Sequence, residues 1–89
     1  MDYAAPSAAP ITERPNSSGG YDISIAHLHG SVTTCDGAAY WGTQVGLDSG
    51  EQRYGQDMEL AERLIEQGRQ EVRDYLEAVR AKLLAERPA

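Results

Sequence analysis

The sequence is poor in the large apolar side chains that build a core. Among 89 residues there is no Phe and only one Trp, and two of the five tyrosines lie in or beside the Pro/Gly-rich beginning. Ordering a residue costs roughly 1–2 kcal/mol of backbone entropy, and a chain this short buries little surface to offset that cost. We therefore expect one domain that needs another protein or a second copy of itself.

Basic residues, cysteine and long apolar runs are also scarce. Fourteen acids against eight bases give a net charge of −6, which argues against direct binding to nucleic acid or to an anionic membrane. Cys35 has no partner for an internal disulfide, which suits a reducing compartment. The sequence has no run of about 18 apolar residues and no pattern of a secretory signal at its start. We expect no membrane span and a cytoplasmic protein.

Residues 1–20 differ in composition from the rest of the chain. They hold three of the four prolines, together with small and polar residues that show neither helical nor strand periodicity. This composition predicts an extended arm that is either disordered or ordered against a partner. In the second case Tyr3 and Ile11 would be its contact points. Residues 21–89 are then the folded domain.

The pair Asp36-Gly37 separates two stretches with the composition of strands, 21–35 and 38–47. A type I′ turn needs positive φ at both central residues, which Asp and Gly tolerate well. A two-residue turn here places Val32 opposite Trp41 and sorts apolar and polar residues onto opposite faces. We predict one long antiparallel hairpin. Its continued register also puts Leu28 opposite Val45 and Ala26 opposite Leu47.

Residues 49–86 carry apolar residues at the three-to-four spacing of one helical face. Asp48 or Ser49 is the expected N-cap. Gly55 and Gly68 weaken a helix by about 1 kcal/mol each, so a start at Asp57 or a break at Gly68 is the alternative. We favour a continuous helix, because a glycine on the apolar stripe lets another part of the chain approach closely.

These elements predict an α+β fold with an N-terminal arm, one antiparallel β-hairpin and one long amphipathic C-terminal helix. A helix of about 36 residues spans about 54 Å, whereas strands of about ten residues span roughly 33 Å. Part of the apolar stripe should therefore extend beyond the hairpin and bind a partner. The expected interface residues in the helix, on the polar strand face and in the arm are Leu76, Val79, Leu83, Leu84, Tyr40, Ile11 and Tyr3.

The chain's only cysteine and both histidines fall within residues 27–35. On one continuous strand, His27 and His29 point to the same side, but Cys35 lies about 20 Å from His29. That distance excludes a shared metal site and Cys–His catalysis within one chain, although a metal site between chains stays open. We predict no catalytic residue, no cofactor and no metal ligand within the chain.

We expect a small non-enzymatic interaction module, acting as an accessory subunit, an adaptor or a homo-oligomer. The alternative is an acidic inhibitor of the phage type that mimics nucleic acid and blocks a nucleic-acid-binding enzyme. The net charge favours that alternative, but the interleaved acids and bases of the helix argue against it. A third possibility is an enzyme or metal protein that uses His27 and His29 at a subunit interface.

Overall fold

A computed structural model describes residues 10–86, which form a five-stranded antiparallel sheet with one C-terminal helix. The strands are neighbours in chain order, so each connection is a hairpin. The α+β class is confirmed, but the prediction of a single hairpin is wrong. The elements are β1 (Ile11–Pro15), β2 (Tyr21–Ile25), β3 (Leu28–Cys35), β4 (Ala38–Thr43), β5 (Asp48–Arg53) and α1 (Met58–Ala85).

The turn at Asp36-Gly37 forms as predicted. Both residues have positive φ, 51° and 73°. Strands β3 and β4 pair in the predicted register, and Val32 lies opposite Trp41. Both of these side chains are buried in the core. The local turn chemistry therefore determines the centre of the sheet.

The predicted strand 21–35 is in fact two strands. The chain reverses at Ala26, whose φ is 54°, and Ile25 pairs with Leu28. The predicted opposition of Leu28 to Val45 and of Ala26 to Leu47 is wrong, because β4 ends at Thr43 and its pairing with β3 ends there, opposite Gly30. The turn can be recognised from the alternation of buried residues. They have odd numbers through Ile25 and even numbers from Leu28. A two-residue turn brings both sets to the same face of the sheet.

The arm prediction is wrong for residues 11–20, which form β1 and the turn that follows it. Ile11 pairs with Ile25 at one end of β1. At the other end, the side-chain oxygen of Asn16 accepts hydrogen bonds from the backbone N–H groups of Ser18 (3.1 Å) and Gly20 (2.9 Å). Pro15 is tolerated because β1 is an edge strand, where a missing N–H costs little.

The helix begins later than the favoured prediction, at Met58. The preceding residues form β5, and Gly50 and Gly55 adopt φ of 72° and 62°, which an α-helix cannot contain. Asp57 is the N-cap, and its carboxylate accepts a hydrogen bond from the N–H of Leu60 at 3.1 Å. The alternative start at Asp57 is therefore the correct one.

The helix continues through Gly68, which lies directly on Trp41. A Cβ at this position would lie 2.7 Å from Cδ2 of the indole. The indole Nε1 donates a hydrogen bond to Glu71 at 2.9 Å, on the next turn of the helix. Gly68 therefore permits the close approach of α1 to β4. The buried core consists of Ile23, Ile25, Leu28, Val32, Ala39, Trp41, Val72 and Leu76.

Glu13 connects the edge strand β1 to the helix. Its side chain is 16% exposed and forms ion pairs with Arg69 Nε (2.8 Å) and Arg73 Nη1 (3.3 Å). The hydrogen bond from Arg69 to Glu13 raises the pKa of Arg69 above its ordinary value. The guanidinium of Arg69 also lies 4.2 Å from the centre of the Tyr21 ring. Two bases of α1 are thereby drawn toward the sheet.

Candidate functional site

The apolar stripe of α1 continues past the end of the sheet. The 28 residues of α1 span about 42 Å. Strands of five to eight residues span only roughly 17–26 Å. Leu83 lies seven residues after Leu76, about two turns further along the same side of the helix. The stripe therefore reaches beyond the strands that cover its middle part.

We call four apolar residues the helix-end surface: Val79, Leu83 and Leu84 of α1, and Val45 of the β4–β5 loop, which Tyr75 contacts. Leu83 is 44% exposed and Val45 is 38% exposed, while Val79 and Leu84 are half-buried. Val45 belongs to the β4–β5 loop, and its carbonyl accepts a hydrogen bond from the hydroxyl of Tyr75 at 3.2 Å. This bond fixes the loop beside the helix one turn before Val79.

The predicted interface residues differ in how far the structure buries them. Leu76 is 0% exposed beneath the sheet, so its assignment to the interface is wrong: β2 and β3 fold back to cover it. Val79 and Ile11 are half-buried and pack against the core. Tyr3 lies outside the described residues. Among the predicted helix residues, Leu83 is the one with a largely exposed side chain.

The second surface is the face of the sheet opposite α1, which we call the open face. It is concave, with a volume of about 1100 Å³, and its lining draws on all five strands. Small and polar side chains occupy opposing positions on neighbouring strands, such as Ser24 opposite His29 and Thr33 opposite Tyr40. The polar side chains that line it include those of Arg14, Asp22, Ser24, His29, Ser31, Tyr40 and Asp48.

The β4–β5 loop forms one wall of the open face. A Cβ at Gly42 would lie 2.6 Å from the carbonyl oxygen of Leu47, so the absent side chain lets the loop fold close to β4. Thr43 holds the loop, since its hydroxyl accepts hydrogen bonds from the N–H groups of Val45 and Leu47 at 3.2 Å each. This wall makes the open face a trough instead of a flat sheet.

Tyr40 is the large aromatic side chain of the open face and is 36% exposed. Partial burial and, next, the carboxylate of Glu51 raise the pKa of Tyr40 above its ordinary value. The hydroxyl therefore stays protonated at neutral pH and can donate a hydrogen bond. The predicted place of Tyr40 on the polar strand face is confirmed, and its role in an interface stays a prediction.

The two histidines do not share a strand. His27 lies in the β2–β3 turn, whereas His29 lies in β3 on the open face, so the premise that both imidazoles point the same way is wrong. Cys35 ends β3 and is exposed. Within residues 10–86, no three His, Cys, Asp or Glu residues are grouped to hold a metal ion. A metal site between chains stays a prediction.

Ser24, His29 and Asp22 lie close together on the open face, as in a hydrolase triad, but the contacts differ. The carboxylate of Asp22 accepts a hydrogen bond from the amide of Asn16 at 3.3 Å, so it is oriented toward the β1–β2 turn. A triad requires the acid to orient the imidazole and the imidazole to contact the hydroxyl. The carboxylate of Asp22 is instead directed to the β1–β2 turn.

Neither edge of the sheet is a regular template for adding a strand. Pro15 has no N–H to donate from β1, and Gly50 adopts positive φ within β5. Strand β5 also shifts register against β4 between Tyr40 and Gly42. These irregularities leave the helix-end surface and the open face as the candidate binding surfaces of the described residues.

Sequence reasoning missed Glu13 and the shape of the open face. Glu13 lies two residues from Ile11 and from Pro15, on the same side of β1, in a short stretch whose two prolines, Pro10 and Pro15, suggest an arm instead of a strand. In residues 10–86, no helix has both the length and the apolar character that a membrane span requires. Comparisons with protein-family models, curated proteins and solved structures find no match to this chain, so the proposals below rest on its own geometry.

Proposed function

We propose that this chain is a small non-enzymatic interaction module that binds another protein, or a second copy of itself, through the helix-end surface. The observation that carries the proposal is the 44% exposure of Leu83 on the same helical stripe whose middle members, Gly68, Val72 and Leu76, are buried. An apolar stripe that continues without cover is a common recognition element, because a partner can complete its burial.

The composition of the surface supports this role. Leu83 and Val45 are two of the four large apolar side chains with substantial exposure among the described residues. Exposed apolar side chains with polar neighbours commonly mark protein–protein interaction sites. Lys82 lies beside it in the last turn and is exposed.

The test compares Leu83→Asp with Ala81→Asp in the full chain. Both residues are exposed in the same turn, but Ala81 lies on the side of α1 that faces away from the sheet. Mass measurement by light scattering over a range of concentrations, and affinity capture from the native source, should show association that Leu83→Asp abolishes and Ala81→Asp preserves. A folded monomer that captures nothing, or equal effects of both variants, would contradict the proposal.

The acidic-inhibitor alternative is favoured by one observation. Arg69 and Arg73 reach toward Glu13, although Arg69 also pairs with Glu66 at 3.1 Å, and the outer side of α1 carries five exposed acids with Arg63 among them. The acids extend from residue 59 to residue 77 of the helix, or about 27 Å. They are Glu59, Glu62, Glu66, Asp74 and Glu77.

Ionic strength separates the two functions. Binding through the acidic side of α1 should weaken steeply as salt rises, because exposed charges are screened within about 10 Å at 0.1 M salt. Binding through Leu83 should persist. The paired substitutions Glu59→Gln and Glu62→Gln should weaken only the first kind of binding. Association that survives high salt and both substitutions rules out the mimic.

A further inference from the structure

We infer that the open face is a binding site for a neutral oligosaccharide. This site lies on the side of the sheet opposite α1 and shares only the β4–β5 loop with the helix-end surface. The inference depends on the shape, the charge and the chemistry of the trough.

The size of the trough favours an extended ligand. Its volume of about 1100 Å³ exceeds the roughly 300–1,000 Å³ of ordinary small-molecule pockets, and it is lined from β1 to β5. A single small metabolite would leave much of this surface in contact with water. An oligomer lying across the strands would contact Arg14 at one side and the β4–β5 loop at the other.

The charges of the trough disfavour ionic polymers. Its charged lining consists of Arg14, Asp22 and Asp48, apart from the titratable His29. Arg14 lies directly opposite Asp22 on the neighbouring strand, and Asp48 accepts a hydrogen bond from the N–H of Gly50 at 3.0 Å. A nucleic-acid strand or an acidic glycan needs a basic groove. A neutral ligand meets no net opposing charge here.

The apolar content of the trough disfavours lipids and apolar peptides. The isoleucine and tryptophan residues that line it direct their side chains into the core beneath, which leaves Tyr40 as the exposed ring. A peptide that adds to a sheet needs a regular edge and pockets for alternate side chains. The irregular β1 and β5 edges do not provide that template.

The remaining groups match the chemistry of a sugar. The hydroxyls of Ser24 and Ser31 both donate and accept hydrogen bonds, as sugar hydroxyls do. His29 and Asp22 place planar polar groups beside them. The ring of Tyr40 offers a flat apolar surface with a polar end, which suits the C–H face of a sugar ring. One ligand class thereby satisfies the hydroxyls, the planar groups and the aromatic ring together.

The test is a titration of the ¹⁵N-labelled full chain, followed by amide chemical shifts. The probes are neutral hexasaccharides of glucose, xylose, mannose and N-acetylglucosamine, with a heparin fragment and oligothymidylate as charged comparisons. At least one neutral probe should shift the amides of Ser24, His29 and Ser31. Shifts by no neutral probe, or by the charged probes alone, would overturn the inference.

Matched variants locate the binding. Tyr40→Ala and His29→Ala should weaken the responsive sugar by roughly tenfold or more, a loss of about 1.4 kcal/mol. His27→Ala should bind normally, because this exposed histidine lies in the β2–β3 turn and does not line the trough. Unchanged affinity of Tyr40→Ala, or an equal loss in His27→Ala, would place the binding elsewhere and defeat the inference.

Discussion

The middle and the far end of α1 have the same amphipathic pattern but different surroundings. Leu76 is 0% exposed beneath the sheet, whereas Leu83, two turns later on the same stripe, is 44% exposed. The difference arises from the length of the strands, which end before the helix does. A periodic apolar stripe therefore predicts which side of a helix packs against other elements. The length of those elements determines how much of the stripe is buried.

The largest test of this comparison pairs Leu76→Ala with Leu83→Ala. Removing the buried side chain leaves a cavity and should lower the free energy of unfolding by about 3 kcal/mol. The same change at Leu83 should cost below about 1 kcal/mol, because much of that side chain already contacts water. Urea unfolding followed by circular dichroism measures both. Similar losses would mean that the helix end is covered as fully as its middle.

The next test adds a methyl group where α1 approaches the sheet most closely. Gly68→Ala places a Cβ 2.7 Å from Trp41, and overpacking of this kind typically costs about 1–3 kcal/mol. The higher helix propensity of Ala relative to Gly offsets only about 1 kcal/mol of this destabilisation. The expected result is a net loss of stability in thermal unfolding. Ala78→Gly, in an exposed position, measures the propensity effect alone.

A smaller effect is expected where the covered part of α1 meets the edge strand. Glu13→Gln removes the charge that Arg69 and Arg73 share and should destabilise the protein by about 1 kcal/mol, since all three groups keep some contact with solvent. Glu62→Gln, on the exposed side of the helix, is the control and should have almost no effect. Hydrogen exchange of the β1 amides should accelerate in the Glu13 variant; protection equal to the wild type would contradict this role for Glu13.

The smallest effect is expected at the opposite end of the same stripe. Met58 lies five turns before Leu76 but is 65% exposed. Met58→Ala should change the free energy of unfolding by about 0.5 kcal/mol or less, as is usual for exposed positions. A large loss on urea unfolding would show that the start of the helix is packed more tightly than its exposure indicates.

Of the two candidate surfaces, the sequence predicts the one on the helix but not the one on the sheet. Leu83 could be named from the helical period, because the period alone places it beside Leu76. The open face could not be assembled, because its residues come from strands whose pairing depended on the unrecognised turn at Ala26 and on β1. The position of Tyr40 on the polar side was predictable, since it alternates with Trp41 next to a strong turn signal.

By itself, the sequence determined the features that depend on neighbouring residues. Asp36-Gly37 specified a turn because both residues accept positive φ, and that turn set the pairing of Val32 with Trp41. The apolar period specified a helix through Gly68. Tertiary structure alone decided that Ile11 and Glu13 belong to the sheet, that Leu76 is covered and that Leu83 is not. Those outcomes depend on contacts between residues far apart in the chain, where packing and ion pairing outweigh the weak preferences of a short segment.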